Sequence, residues 1–194
     1  MIVCYLYPEM ADFEVSFLLH RLKNQGHREI VGIAATLDPV TAQSGLCYMP
    51  DRRIDSITDT ADIEALLIPG GPVDNERNEI CALAKRLTEE GKLVGAICFG
   101  PQFLGRAGIL DTYTFTTSCS PEKVRSFHTW DPYNWKNFVQ ARVHRDRNVI
   151  TAQGYAFVDF AKAVCAYLHV FSSAEEEYEM IDIVKETESE EKGF

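Results

Sequence analysis

The sequence predicts a single-domain α/β protein, a three-layer sandwich in which helices cover both faces of a mostly parallel sheet. Two observations lead to this fold class. Short apolar runs alternate along the chain with longer amphipathic segments, as expected for strands joined by covering helices. The 194 residues are 46% hydrophobic, which is enough for one core of good size without disulfides.

Each predicted strand is a short apolar run, and each predicted helix ends at a stop signal. The first strand covers residues 2–7, and the helix over 12–25 follows, with Asp12 available as N-cap and Gly26 as the stop. The remaining predicted elements are, in chain order, a strand over 29–36, a hairpin or edge excursion over 40–49, a strand over 65–69, a helix over 75–90, a strand over 93–97, a helix from Pro101, a short helix over 121–127, a hairpin-like turn into a last strand over 142–151 and a helix over 156–171.

The composition changes after Ser172, where the chain becomes strongly acidic. We therefore predict an α/β domain over residues 1–172 and an acidic C-terminal helix or tail over 173–194. The simplest interpretation of the tail is a solvated helix or frayed end. Three of its apolar side chains are available to dock along one face: Tyr178, Ile181 and Val184.

Charge and cysteine spacing limit the expected partners. A net charge of −10 disfavours nucleic acid and anionic membranes, so a small-molecule or peptide substrate is expected instead. The six cysteines lie far apart, with no Cys-x-x-Cys pair and no zinc-like spacing to histidine, so we expect reduced thiols and neither metal nor cofactor. No membrane span and no signal peptide are recognised, and we expect a cytoplasmic protein.

Residues 93–100 predict a nucleophile elbow, in which a strand ends in a tight turn that carries a reactive side chain. An apolar strand leads directly to Cys98, and a helix begins just beyond it at Pro101. Gly95 and Gly100 allow close backbone approach, and the N–H groups at the helix start favour a thiolate. The sequence therefore predicts thiol chemistry at Cys98 without indicating the substrate.

Stretches at the first helix, after the third strand and at the elbow together resemble the ThiJ/PfpI superfamily, which has the flavodoxin-like fold of class I glutamine amidotransferases. They are Phe13-Glu14-Val15, Leu67-Ile-Pro-Gly-Gly and Ala96-Ile-Cys-Phe-Gly-Pro. The later segment Asn148-Val-Ile-Thr-Ala-Gln-Gly, followed by a long helix, is also similar to that family's last strand and helix. The resemblance covers residues 1–170 by order of elements and leaves the acidic tail outside.

The resemblance implies that Glu14 lies beside Cys98 and shares a proton with its sulfur. It also implies an oxyanion hole made by the backbone N–H groups near Gly71 and at Phe99, with Gly70 in the same binding segment. We accordingly expect a lowered pKa for Cys98 and a raised pKa for Glu14, since one charge in a shared site is preferable to two. The alternative is that Glu14 only starts a helix and faces solvent.

In the protease-like branch of the superfamily a histidine directly follows the nucleophilic cysteine, whereas Phe99 stands there in this chain. Proton transfer to a leaving amine would then need another group. His128 is the candidate base, because it lies in the irregular aromatic segment expected to fold over the elbow. The alternative is a surface histidine after a short helix.

Cys119 and a set of aromatic residues near the elbow each have two possible roles. Cys119 is either a plain loop thiol or a partner that traps an oxidised Cys98 as a disulfide. An aromatic set either lines a substrate pocket or forms a dimer contact; it consists of Phe99, Trp130, Tyr133 and Trp135.

Two function classes follow. The first is a cysteine-dependent hydrolase or amidase-like enzyme acting on a small carbonyl or amide substrate, with either protease/amidase-like or glyoxalase/deglycase-like chemistry. In this class Cys98 attacks and Glu14 or His128 moves the proton. The second is an oxidation-sensing stress-response protein, in which Cys98 becomes a sulfinic acid stabilised by protonated Glu14. In both classes we expect a homodimer.

Overall fold

The computed structural model describes residues 1–73 and 78–185. The strands, in chain order, are β1 (Ile2–Tyr5), β2 (Ile30–Ala34), β3 (Val40–Thr41), β4 (Cys47–Tyr48), β5 (Arg52–Arg53), β6 (Ala65–Ile68), β7 (Leu93–Ile97), β8 (Val143–Asp146) and β9 (Val149–Ala152). The helices are α1 (Phe13–Asn24), α2 (Asn78–Glu89), α3 (Pro101–Arg106), α4 (Pro121–Ser126), α5 (Phe157–Tyr167) and α6 (Ala174–Met180).

Within the described residues, seven strands form one sheet in the order β5-β2-β1-β6-β7-β9-β8. All neighbours pair in parallel except β8, which runs antiparallel to β9 at the edge. The central strands β1, β6, β7 and β9 are buried along their whole length, because helices cover the sheet on both faces. Helix α1 packs against α5, and α2 packs against α3. The predicted fold class is confirmed.

Several element boundaries differ from the sequence-based prediction. Strand β5, which pairs with β2 at the edge of the sheet, was not predicted, because two exposed arginines carry no hydrophobic pattern. The segment over 40–49 is a short hairpin, β3 paired with β4. Helix α5 ends at Tyr167 rather than at residue 171, since His169 adopts a left-handed backbone with φ of 52°.

The start of the acidic segment is helical, and residues 182–185 beyond this helix pack against α5. Met180 and Ile181 are buried, whereas Tyr178 and Val184 are exposed, so of the three predicted docking side chains only Ile181 is in the core. Lys162 of α5 makes ion pairs with Glu177 and Asp182. The rest of the predicted tail, residues 186–194, lies outside the described residues.

In the sequence analysis, no membrane-spanning segment was recognised. No helix within the described ranges is both long enough and apolar enough to cross a bilayer.

Candidate active site

Cys98 stands at the end of β7 in a backbone conformation that few non-glycine residues adopt. Its φ is 62°, in the left-handed region. Its N–H donates to the carbonyl of Ala152 at 2.8 Å, and its carbonyl accepts from the Thr117 hydroxyl at 2.6 Å and the Ser118 N–H at 3.0 Å. These bonds fix the turn, so the strained conformation is held by the surrounding structure, as at a nucleophile elbow.

Glu14 extends from the first turn of α1 to the sulfur of Cys98. The residue is only 2% exposed, and its Oε2 accepts a hydrogen bond from the Gly70 N–H at 2.7 Å. The carboxyl group is also in hydrogen-bonding contact with the Cys98 thiol. The alternative of a solvent-facing carboxylate at a helix start is therefore wrong.

Burial controls the protonation of this pair. Burial raises the pKa of Glu14, although hydrogen bonds from Cys98 and Gly70 oppose the rise. Burial and the neighbouring Glu14 carboxylate raise the pKa of the Cys98 thiol to about 12. The expected lowering of the Cys98 pKa is therefore wrong for a thiol beside an ionised Glu14, since desolvation and like charge act against a second negative charge. The pair holds one charge rather than two.

Two members of the predicted oxyanion segment, Gly70 and Phe99, lie against the same sulfur. The N–H of Gly70 already donates a hydrogen bond to Glu14, whereas the N–H of Gly71 has no acceptor within residues 1–73 and 78–185. The N–H of Phe99 faces the Cys98 sulfur. A side chain at Gly70 would stand 2.6 Å from both the Cβ of Cys98 and Oε2 of Glu14, so only glycine fits there.

The structure does not join His128 to this pair. The residue is exposed, its φ is 52°, and its N–H donates to the carbonyl of Arg125 at 3.2 Å. Across the described chain, no hydrogen bond or ion pair links its ring to Cys98 or Glu14. The neighbouring Phe127 ring does reach the site, edge-on against Phe99 at 6.2 Å between centroids.

The aromatic set divides into separate groups. Tyr133 and Trp135 pack against Phe115 in the interior, while Trp130 is 65% exposed. Phe99 and Tyr133 line a cavity of about 10 Å³ together with Cys119, which is room for about one water molecule. Of the described residues, no group of three or more His, Cys, Asp or Glu is placed to hold a metal ion.

Two site residues were missed by the sequence analysis. The N–H of Gly154 donates to the Ser118 hydroxyl at 2.8 Å, and this hydroxyl is in hydrogen-bonding contact with the Cys98 sulfur. A side chain at Gly154 would stand 2.7 Å from Oε1 of Glu14 and 3.0 Å from the Cys98 sulfur. Ser118 carries no local signal, because it reaches the elbow through long-range folding. The position of Gly154, directly after the last parallel strand, is the feature that indicates it.

The fold and the buried cysteine–carboxyl pair define the class of α/β proteins that present a thiol at the carboxyl edge of a parallel sheet. The model of the DJ-1/PfpI family matches residues 1–167, and the chain belongs to this family.

Similar proteins include a deglycase and a Parkinson disease protein 7 homolog. Deglycase TK1284 of Thermococcus kodakarensis is 36% identical over 102 residues, which cover 51% of this chain and 60% of that protein. The Parkinson disease protein 7 homolog of Danio rerio is 29% identical over 133 residues, covering 63% of this chain and 68% of that protein. The match to the deglycase thus spans less than two thirds of its length.

Solved structures match over a larger share of the chain. The DJ-1 superfamily protein Atu0886 from Agrobacterium tumefaciens superposes with a TM-score of 0.81 at 28% identity, covering 94% of this chain and 96% of that one. The thiJ/pfpI family protein from Bacillus anthracis superposes with a TM-score of 0.79 at 23% identity and supports the fold alone.

Proposed function

We propose that this protein is a cysteine-dependent enzyme that acts on small carbonyl compounds, with glyoxalase-like or deglycase-like chemistry. The observation that carries the proposal is the buried Cys98–Glu14 pair, which holds one charge beside the N–H groups of Gly70 and Phe99. The names of the archaeal relatives support the deglycase form.

Each group has one role in the proposed reaction. The Cys98 sulfur forms a bond to the substrate carbonyl carbon, and the electron pair of the C=O bond moves onto oxygen. The N–H groups of Gly71 and Phe99 stabilise that oxyanion. Glu14 keeps the proton that the thiol gives up and can return it to the oxyanion or to a leaving group.

A small carbonyl substrate fits this site better than a peptide. Amide cleavage requires a proton donor for the leaving amine, and Phe99 occupies the position directly after the cysteine. His128, proposed as the base from the sequence, is exposed and forms no contact with the pair in the described chain. Amidase or protease activity is therefore the less favoured form of the proposal.

The test compares wild type with Cys98→Ser and with Cys119→Ser as the matched control. Each protein is incubated with methylglyoxal and with a methylglyoxal-treated amino acid, and substrate loss and product are followed by chromatography. We expect Cys98→Ser to fall to the uncatalysed rate and Cys119→Ser to keep its activity. Equal turnover by Cys98→Ser would refute the assignment of the nucleophile.

Oxidation sensing is the second candidate function. The Cys98 sulfur faces the Ser118 hydroxyl, the Phe99 N–H and, when it is protonated, Glu14, and these donors suit the oxygens of a sulfinic acid. Intact mass after graded peroxide tests this candidate. Addition of two oxygens to Cys98 alone, with no substrate consumed by wild type, favours the sensor over the enzyme.

We also propose that the chain forms a homodimer in the cytoplasm. Apolar side chains are exposed near the start of α1 and on or beside the β3–β4 hairpin, a pattern typical of a contact surface. They are Phe13, Leu46 and Met49. Light scattering after size exclusion measures the mass, and a monomer at micromolar concentration would contradict the proposal.

A further inference from the structure

Ser118 is fixed between the elbow and the segment that follows β9. Its N–H donates to the carbonyl of Cys98 at 3.0 Å, and its hydroxyl oxygen accepts the N–H of Gly154 at 2.8 Å. The side chain is half-buried. Both ends of Ser118 are thus tied to backbone groups of the site, and its hydroxyl has little freedom to turn away.

These bonds determine where the hydroxyl proton points. A serine hydroxyl has one proton to donate and lone pairs that accept. Since the oxygen accepts from Gly154 through a lone pair, its proton remains available for a neighbouring acceptor. The Cys98 sulfur is in hydrogen-bonding contact with this hydroxyl, and it also packs against Gly154, where an added Cβ would be 3.0 Å from it.

We propose that Ser118 is a catalytic residue that donates a hydrogen bond to the Cys98 sulfur and stabilises its thiolate. This inference rests on the proposed function, because it takes Cys98 as the reacting thiol. A donor at this position matters in a chain that has Phe99, and no histidine, directly after the cysteine. The Ser118 hydroxyl and the Phe99 N–H both act to lower the pKa of Cys98, against burial and the Glu14 charge, which raise it more.

The experiment measures the pH profile of Cys98 alkylation without any substrate. Wild type, Ser118→Ala and Ser118→Thr are treated with iodoacetamide across a pH series, and the modified Cys98 peptide is quantified by mass spectrometry. Ser120→Ala is the matched control, because the Ser120 hydroxyl accepts the Lys123 N–H at the start of α4.

We expect Ser118→Ala to shift the alkylation midpoint upward by about one pH unit, which makes the reaction about tenfold slower at a given lower pH. Ser118→Thr keeps the hydroxyl and should stay near wild type, and Ser120→Ala should not shift the midpoint. If Ser118→Ala fails to fold, Ser118→Val replaces it, since valine has the shape of threonine without the hydroxyl.

An unchanged midpoint in Ser118→Ala, or an equal shift in Ser120→Ala, would overturn the role of Ser118. These outcomes are distinct from failure of the proposed function. A wild type that turns over no carbonyl substrate removes the enzyme proposal, yet the alkylation profile still shows whether Ser118 stabilises the thiolate.

Discussion

The sulfur of Cys98 and the carboxyl group of Glu14 are two acids in one buried space. Burial raises the pKa of both groups. The Glu14 carboxylate raises the pKa of the Cys98 thiol further, whereas the hydrogen bond from Cys98 lowers the pKa of Glu14. The hydrogen bond from the Gly70 N–H stabilises charge on Glu14, while Ser118 and Phe99 stabilise charge on Cys98. The balance between these two sets of donors decides which atom carries the single charge.

The raised pKa of Glu14 predicts how stability depends on pH. The folded protein holds this proton more tightly than the unfolded chain, so the free energy of unfolding falls as the pH rises from 4.5 through the folded pKa. Glu14→Gln removes the titrating group. The stability of the variant relative to wild type should therefore increase with pH over this window and then level off.

Urea unfolding of both proteins at a series of pH values measures that difference. The other ionisable groups are the same in the two proteins and cancel. Repeating the pair in a Cys98→Ser background removes the coupled thiol. A difference that stays flat from pH 4.5 upward would contradict a raised Glu14 pKa.

Gly154 is predicted to accept no side chain. In Gly154→Ala the new methyl group would stand 2.7 Å from Glu14 and 3.0 Å from the Cys98 sulfur, so one of them must move. We expect a loss of about 1–3 kcal/mol in the free energy of unfolding, together with an altered rate of Cys98 alkylation. Urea unfolding and peptide mass spectrometry measure the two effects.

Gly32→Ala is the matched control for this substitution. Its methyl group would meet chiefly the end of the flexible Leu6 side chain, where β2 pairs with β1. This contact does not involve the elbow at the end of β7, so Cys98 should alkylate at the wild-type rate. The steric argument for Gly154 would not hold if Gly154→Ala kept wild-type stability and wild-type alkylation.

At the scale of the element, the sequence predicted those features that depend on the local pattern of residues. Strand β7 and the turn at Cys98 could be predicted because a five-residue apolar run leads directly into small residues. The contact between Ser118 and Gly154 could not, since 36 residues separate them and neither segment has a distinctive period. The direction of the Cys98 pKa also depended on burial that no local sequence shows.

The β3–β4 hairpin supports the segment that leads into α1. Tyr48 and Ser44 donate from the hairpin to Oδ2 of the buried Asp12, at 2.8 and 2.5 Å, two residues before Glu14. The Met10 carbonyl also accepts the N–H of Gln43 at 3.0 Å. Through these bonds the hairpin fixes the start of the helix that carries Glu14.

Tyr48→Phe is predicted to weaken this support. The substitution removes one hydrogen bond to a buried charge, so we expect it to lower the free energy of unfolding by about 1.5–3 kcal/mol. Denaturant unfolding checks the value. Tyr155→Phe is the control, because Tyr155 is 61% exposed, and it should change stability little. Equal stability of the two variants would show that the Asp12 bond contributes nothing.

At the scale of the whole molecule, the site results from strand order. Glu14, Gly70, Cys98 and Gly154 follow β1, β6, β7 and β9, which are consecutive neighbours in the sheet. The carboxyl ends of parallel strands meet at one edge, so four segments distant in sequence converge there. The acidic segment contacts α5 instead, through residues 182–185 and the ion pairs of Lys162, and Ile181 is its fully buried side chain.

This arrangement predicts that the acidic segment supports stability and leaves the thiol chemistry unchanged. Deleting residues 173–194 uncovers the apolar surface under Ile181, so we expect the free energy of unfolding to fall by roughly 2–3 kcal/mol. Cys98 should alkylate at the wild-type rate, since no contact of the elbow comes from residues 173–185. Urea unfolding and peptide mass spectrometry on the same samples measure the two quantities.

A shorter deletion, of residues 186–194, is the matched control, because it keeps Met180, Ile181 and the ion pairs of Lys162 with Glu177 and Asp182. It should leave stability close to that of the full chain. If the longer deletion slows Cys98 alkylation while the protein stays folded, the acidic segment acts on the site, and the division of the chain at residue 172 is incorrect.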